Sequence, residues 1–266
     1  MSFISNLILI AVCIFITAKV NSLIGLLCFL GVIYFILNNS YPAYMCARAN
    51  AEFLKKNYQK AFRMYEKAYK SKNRKFTVDL AYSQALLRYG KPEKALEVLD
   101  KILCLRLTDE IKYPAKQSRA LIYYKLDRTQ EAYEEAKELF EEGYTTSNMY
   151  CLVGLMMLAN NEPIDETIAF CEKAYDYDNE NRDIIDNLLV CYIKTKNTEK
   201  AKELADIIIK EHPDFVEAWY HAAQVYHMLG DNSKAYEYLE NIKNCERSFL
   251  TTVSEEDIEN LKSKLR

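Results

Sequence analysis

Six Gly and five Pro among 266 residues are too few for a turn-rich all-β chain, and a formal net charge of −3 gives no overall basic surface for nucleic acid. Recurrent Ala, Leu, Lys, Glu and Tyr favour helix, and no stretch has the low hydrophobicity and high charge of a disordered linker. Eight cysteines stand at 13, 28, 46, 104, 151, 171, 191 and 245 without a CxxC or a Cys/His cluster of zinc spacing. They read as reduced, mostly buried thiols, not as a metal site or a disulfide framework.

The first element is apolar. Residues 3–37, FISNLILIAVCIFITAKVNSLIGLLCFLGVIYFIL, carry one charge, Lys19, at their centre. A spanning helix needs about 20 apolar residues. Phe3–Ala18 and Leu23–Leu37 are each slightly short, and together they are too long for one span. The reading that fits best is a membrane anchor over 1–40 built as a hairpin of two short helices turning near Lys19-Val20-Asn21-Ser22. A single span is the second reading, and a cleaved signal peptide fits least, lacking a basic start and a small-x-small cleavage site. From Arg48 to Lys75 there are ten Lys or Arg and two Glu, and from Phe76 onward 24 against 36 Asp or Glu. Positive residues after the spans place the remainder of the chain on the cytoplasmic face of the plasma membrane. Lipid contact is expected through 3–37. The block 48–75 either touches anionic lipid as well or acts only as a topology signal.

From residue 42 onward a small residue recurs at a fixed place in a helical pattern: Ala61, Ala95, Ala132, Thr167, Ala201 and Ala235, at intervals of 34, 37, 35, 34 and 34. A period of 34 marks an array of helix–turn–helix units, here 42–75, 76–109, 113–146, 147–181, 182–215 and 216–249. A second small position holds Ala49, Ser83, Ala120, Gly154 and Ala223, with Leu189 departing, and Gly90 and Gly230 stand at the turn. Small residues are required where two helices cross closely, and Gly allows the first helix to end in a left-handed conformation. Trp219 and Tyr150 fill an aromatic position near the start of their units. On these residues the sequence resembles the tetratricopeptide repeat family over about 42–249, and its architecture is similar to that of bacterial membrane-anchored members. The resemblance implies an all-α solenoid of about six repeats, with the solenoid domain at 41–249. After it, at 250–266, Ser254 with Asp257 forms a capping-box pattern, and Ile258, Leu261 and Leu265 make an apolar stripe. A helix over 255–265 is expected to cap the last repeat.

The chain has no P-loop, GxSxG, HExxH, dinucleotide-binding or kinase motif. His221 and His227 lie six apart, near opposite faces of one helix, and make a poor metal pair. No catalytic residue, cofactor or metal is therefore expected. The resemblance implies that positions 2, 5, 9, 12 and 13 of each first helix face a concave groove. Carried onto this chain, these give Leu80, Gln84 and Leu87, then Gln117, Leu121 and Tyr124 with Lys125, then Leu155 and Leu158. Val190 and Ile193 follow, then Tyr220 and His227. The family's carboxylate clamp is not matched: Asn50 is present, but Cys46 and Ala81 replace the other polar residues. The apolar strip suits an amphipathic or extended peptide. Its rival is that these side chains pack inside the solenoid or are covered by it. The expected function is a membrane-tethered scaffold binding a protein or peptide partner, with no nucleic acid. The alternatives are a regulatory subunit of a membrane enzyme and self-association.

Overall fold

The computed structural model describes residues 3–210 and 212–265. The described residues form fourteen α-helices and no strand, divided between two compact units, Met1–Ala85 and Leu86–Arg266. Within the first unit, α1 (Phe3–Lys19) packs on α2 (Ser22–Leu54) as a hairpin turning at Val20-Asn21. Asn21 makes that turn: its side-chain oxygen accepts from the amides of Leu23 at 2.9 Å and Ile24 at 3.2 Å, capping α2. The two helices meet closely at Gly25, where a Cβ would lie 2.5 Å from the Thr17 Cα. Thr17 keeps its hydroxyl occupied by donating to the Cys13 carbonyl at 2.8 Å. Small residues at a helix crossing are how helices associate where burial against lipid gives no hydrophobic drive. Phe15, Leu27, Leu30 and Leu37 point outward, each more than half exposed.

The hairpin turns where the sequence reading puts it, but its second helix is longer than the apolar stretch. α2 runs 33 residues without interruption through Pro42, so no break separates the apolar segment from the first helix of the first repeat. Pro42 is buried inside this helix. α3 (Tyr58–Tyr69) packs on the later part of α2. Tyr69 stacks on Tyr82 of α4 (Phe76–Arg88) at 4.4 Å, and Arg74 caps the stack at 4.5 Å while pairing with Asp79 at 2.9 Å. The basic block is partly neutralised locally, by Lys60 to Glu52, Lys70 to Glu66 and Arg74 to Asp79.

The second unit contains α5 (Pro92–Leu103), α6 (Asp109–Lys125), α7 (Thr129–Glu141), α8 (Ser147–Ala159), α9 (Ile164–Tyr177), α10 (Arg182–Lys194), α11 (Thr198–Ile209), α12 (Val216–Met228), α13 (Asn232–Asn241) and α14 (Glu255–Lys264). Each helix packs on its successor through α5–α13, as stacked helical hairpins do. Ser254 and Asp257 close a full capping box at the start of α14, and Ile258 and Leu261 join the core beside α12 and α13.

Backbone dihedrals mark the repeat with more regularity than residue identity does. Lys56, Gly90, Asp127, Asn161, Lys196 and Gly230 all have φ between 54° and 82°. They stand 34, 37, 34, 35 and 34 residues apart. Only two are glycines, so four repeats turn on a residue that pays steric strain for the left-handed conformation. The interval between turns lengthens in going from repeat four to repeat five, whereas the interval between small residues lengthens one unit earlier. One extra residue therefore lies between Asn161 and Thr167.

Ala61, Ala95, Ala132, Ala201 and Ala235 are wholly buried, and Thr167 is 1% exposed. Its hydroxyl donates to the Pro163 carbonyl at 3.1 Å, so it serves as a small core residue. Leu189, the departure at the other small position, is wholly buried in the same cluster as Ala205, a larger residue on α10 offset by a smaller one on α11. Ala235→Leu or Ala223→Leu should cost about 1–3 kcal/mol through overpacking. Urea midpoints read from the helical signal would show it, with Glu237→Gln on the surface staying within about 0.5 kcal/mol.

Candidate functional site

The helices named first in each pair, α6, α8, α10 and α12, carry most of the expected groove residues. Gln117, Leu121 and Tyr124 on α6, Leu155 and Leu158 on α8, Val190 and Ile193 on α10, and Tyr220 and His227 on α12 are all half-buried. On α4, Leu80 is half-buried, Gln84 is exposed and Leu87, 3% exposed, lies in the core. The strip is not loose apolar surface. Leu121, Tyr124 and Leu155 pack against the core of α6–α8, and Leu158, Ile193 and Tyr220 against the core of α10–α14.

Polar groups bind these helices to one another. Gly154 leaves room for Asn187, whose amide donates to the Cys151 carbonyl at 2.8 Å and so joins α10 to the backbone of α8. Cys171 on α9 and Cys191 on α10 lie together in the core, thiol beside thiol. The Cys191 thiol and then burial push the Cys171 thiol well above its ordinary range. All eight cysteines are free, but only Cys13, Cys171 and Cys191 are fully buried. Asn50, the one matching clamp residue, accepts a hydrogen bond from the Tyr65 hydroxyl.

An acidic wall lies on α10 and α12. Asp183 is pushed up by burial and then by Asp186 and Glu217. His221 sits 2.6 Å from Asp186 through Nδ1, while His227 meets Asn232 at 2.8 Å. Burial disfavours the charged His221 ring, but the Asp186 charge, its hydrogen bond and Glu217 outweigh it and raise the pKa. A raised folded-state pKa means the pair's stability is fully present below the ordinary histidine value of about 6.5 and is lost as pH rises through the folded value. The thermal midpoint of the parent minus that of Asp186→Asn should therefore shrink as pH is taken from 5.5 to 8.5. A difference that grows with pH would contradict the pairing.

Across this wall runs the segment between α13 and α14. Glu246 N–H donates to the Asp214 carbonyl at 3.2 Å. Residues 248–251 make a turn, with Thr251 N–H on the Ser248 carbonyl. Lys125 Nζ donates to the Thr251 carbonyl at 3.1 Å. Thr252 N–H donates to Glu217 Oε1 at 2.6 Å, and its hydroxyl to the same oxygen at 3.0 Å. Phe249 lies beneath Lys125, 5.7 Å from its ammonium, with its ring against Gly90. Lys125 was expected at the groove. Glu217 stands at position 2 of its repeat, a groove position in the same register.

The Tetratricopeptide repeat family model matches residues 190–214, which run from the end of α10 through α11 to the loop before α12. The fold is that of a tetratricopeptide repeat array. Among solved structures, PilF of Pseudomonas aeruginosa is similar with a TM-score of 0.61 at 14% identity, covering 85% of this chain and 99% of that one. A tetratricopeptide repeat protein of Parabacteroides merdae gives 0.58 at 14% identity over the same shares, 85% and 99%. TTC0263 of Thermus thermophilus gives 0.57 at 15%, covering 72% of this chain and 99% of that one. At these identities the likeness is one of fold. No curated protein matches the sequence significantly. The pattern of small residues, the six left-handed turns and the stacked helical pairs all describe the same repeated unit.

Proposed function

We propose that the chain is a membrane-tethered scaffold whose repeats hold a protein or peptide partner along their first helices at the cytoplasmic face of the plasma membrane. Its role is recruitment, and it is not an enzyme. The observation that carries the tether is the apolar α1–α2 hairpin. The most apolar 18-residue window of α2 has a mean hydropathy of 1.9, and only 6% of it is buried. At 1.5 Å per residue its 33 residues extend about 50 Å, against a hydrocarbon core of about 30 Å. Because the helix continues into the first repeat, the anchor fixes where that repeat starts relative to the membrane. Confinement of this kind raises the effective concentration of a partner without new contacts.

The groove residues support peptide capture by their half-buried, largely apolar character, with the acidic wall and Lys125 supplying polar anchors. Two measurements test the reading. The full chain should stay with membranes through carbonate extraction, and release into the soluble fraction would contradict the tether. Leu121→Lys with Leu155→Lys should lose crosslinked partners from native membranes while circular dichroism remains helical. A folded double variant that keeps its partners would move the site elsewhere, and an unfolded one would assign those leucines to the core.

A further inference from the structure

We infer that the segment Arg247–Val253 is a built-in occupant of the groove: an internal peptide ligand that a turn-forming segment of a partner replaces. The inference rests on the groove being the binding face. Its observation is the way one peptide unit is held. The carbonyl of Thr251 and the N–H of Thr252 belong to the same peptide bond. The carbonyl accepts from Lys125 at the end of α6, and the N–H donates to Glu217 at the start of α12. A cation from repeat three and an anion from repeat six thus clamp one stretch of backbone from both sides. The Thr252 hydroxyl doubles the N–H bond on the same Glu217 oxygen, so a peptide with a hydroxyl residue at that place presents the full set of groups.

The surroundings fit a ligand seat more than a structural seam. Lys125 is half-buried and its pKa is lowered, burial being the main cause, so its ammonium has lost water and gains from an acceptor. Two residues before the clamped bond, Phe249 lies under the same ammonium with its ring over Gly90, yet it is 38% exposed. A core side chain would be buried. Val253, which is 6% exposed, and the capping box at Ser254 fix the far end. Only Ser248–Thr252 need lift, and α14 stays in place. The partner therefore offers a turn-forming segment with an aromatic residue two positions before the peptide unit that takes the place of Thr251–Thr252, and a hydroxyl residue in the place of Thr252. A hinge of this kind keeps the site closed until such a segment competes.

The test uses the full chain in detergent micelles and a fluorescein-labelled peptide copying residues 247–253, with binding read by anisotropy. In the parent the tethered segment competes at an effective concentration on the order of millimolar, so the free peptide binds weakly. Thr252→Pro removes the N–H donor, and Phe249→Ala removes the ring. Each should tighten peptide binding at least about 10-fold, with an unchanged circular dichroism spectrum. Adding Lys125→Met and Glu217→Gln to either variant should abolish that gain. Peptide binding no tighter in either variant than in the parent, or a gain that survives loss of both clamp residues, would overturn the inference. Crosslinking of native partners from concave positions is a separate readout. Partner adducts without any peptide gain would sink the internal-ligand inference alone. A peptide gain without adducts would support this inference and sink the scaffold reading.

Discussion

Trp219→Ala should lower the stability of the repeat domain by about 3–5 kcal/mol, the range for truncating a buried aromatic. Trp219 is 5% exposed, and its ring lies 5.7 Å from Tyr238 across the α12–α13 pair. Its indole N–H donates to the Pro213 carbonyl at 2.9 Å, in the turn that leads from α11 into α12. Truncation leaves a cavity between two helices and a buried carbonyl without that donor. Trp219→Phe retains most of the ring and should lose only about 1 kcal/mol with the hydrogen bond. Urea titration of both variants gives the order. Equal midpoints for Ala and Phe would mean that the ring is not packed as described.

The second large effect is at Arg119. Its Nε and Nη2 donate to the two oxygens of Glu135 at 2.8 and 2.7 Å, joining α6 to α7, and Nη1 reaches Asp100 of α5 at 3.2 Å. Glu135 is 6% exposed. Arg119→Met strands that carboxylate and should cost about 3 kcal/mol. Replacing both partners, as Arg119→Met with Glu135→Leu, should recover most of the loss, because a well-packed apolar pair avoids the desolvation of two charges. A double variant as unstable as the single one would show that Arg119 acts mainly through Asp100 or through packing of its stem.

What the sequence carried was the close crossings. A residue larger than Ala cannot sit where two backbones approach, so Ala61, Ala95, Ala132, Ala201 and Ala235 announce the repeat from composition alone. The turns are less legible, because the backbone requires a left-handed residue at each but accepts Lys56, Asp127, Asn161 and Lys196 as well as glycine. Pro42 is no guide to a helix boundary either. Proline commonly marks a helix start, yet here a buried proline is carried inside one long helix. Cys171 and Cys191 lie twenty residues apart on different helices, which does not suggest a pair. They meet because successive helices of the array are neighbours. The groove was half legible. Its apolar positions follow the register, but the segment that crosses it has no periodicity. The partners it meets, Gly90, Lys125 and Glu217, stand far away in the chain. Glu217 was within reach, since position 2 of the last repeat is a groove position. Its carboxylate gained meaning only when the Thr252 amide was found on it.

The most direct measurement of the scaffold reading is photocrosslinking in native membranes from the full chain, with benzoylphenylalanine in place of one tyrosine at a time. Tyr124 and Tyr220 are half-buried on the first helices of repeats three and six, and Tyr236 is 50% exposed on α13, a second helix. The account predicts discrete intermolecular adducts from positions 124 and 220, strengthened by Thr252→Pro, and none shared with position 236. Adducts from 236 alone, or the same adducts from all three positions, would contradict it.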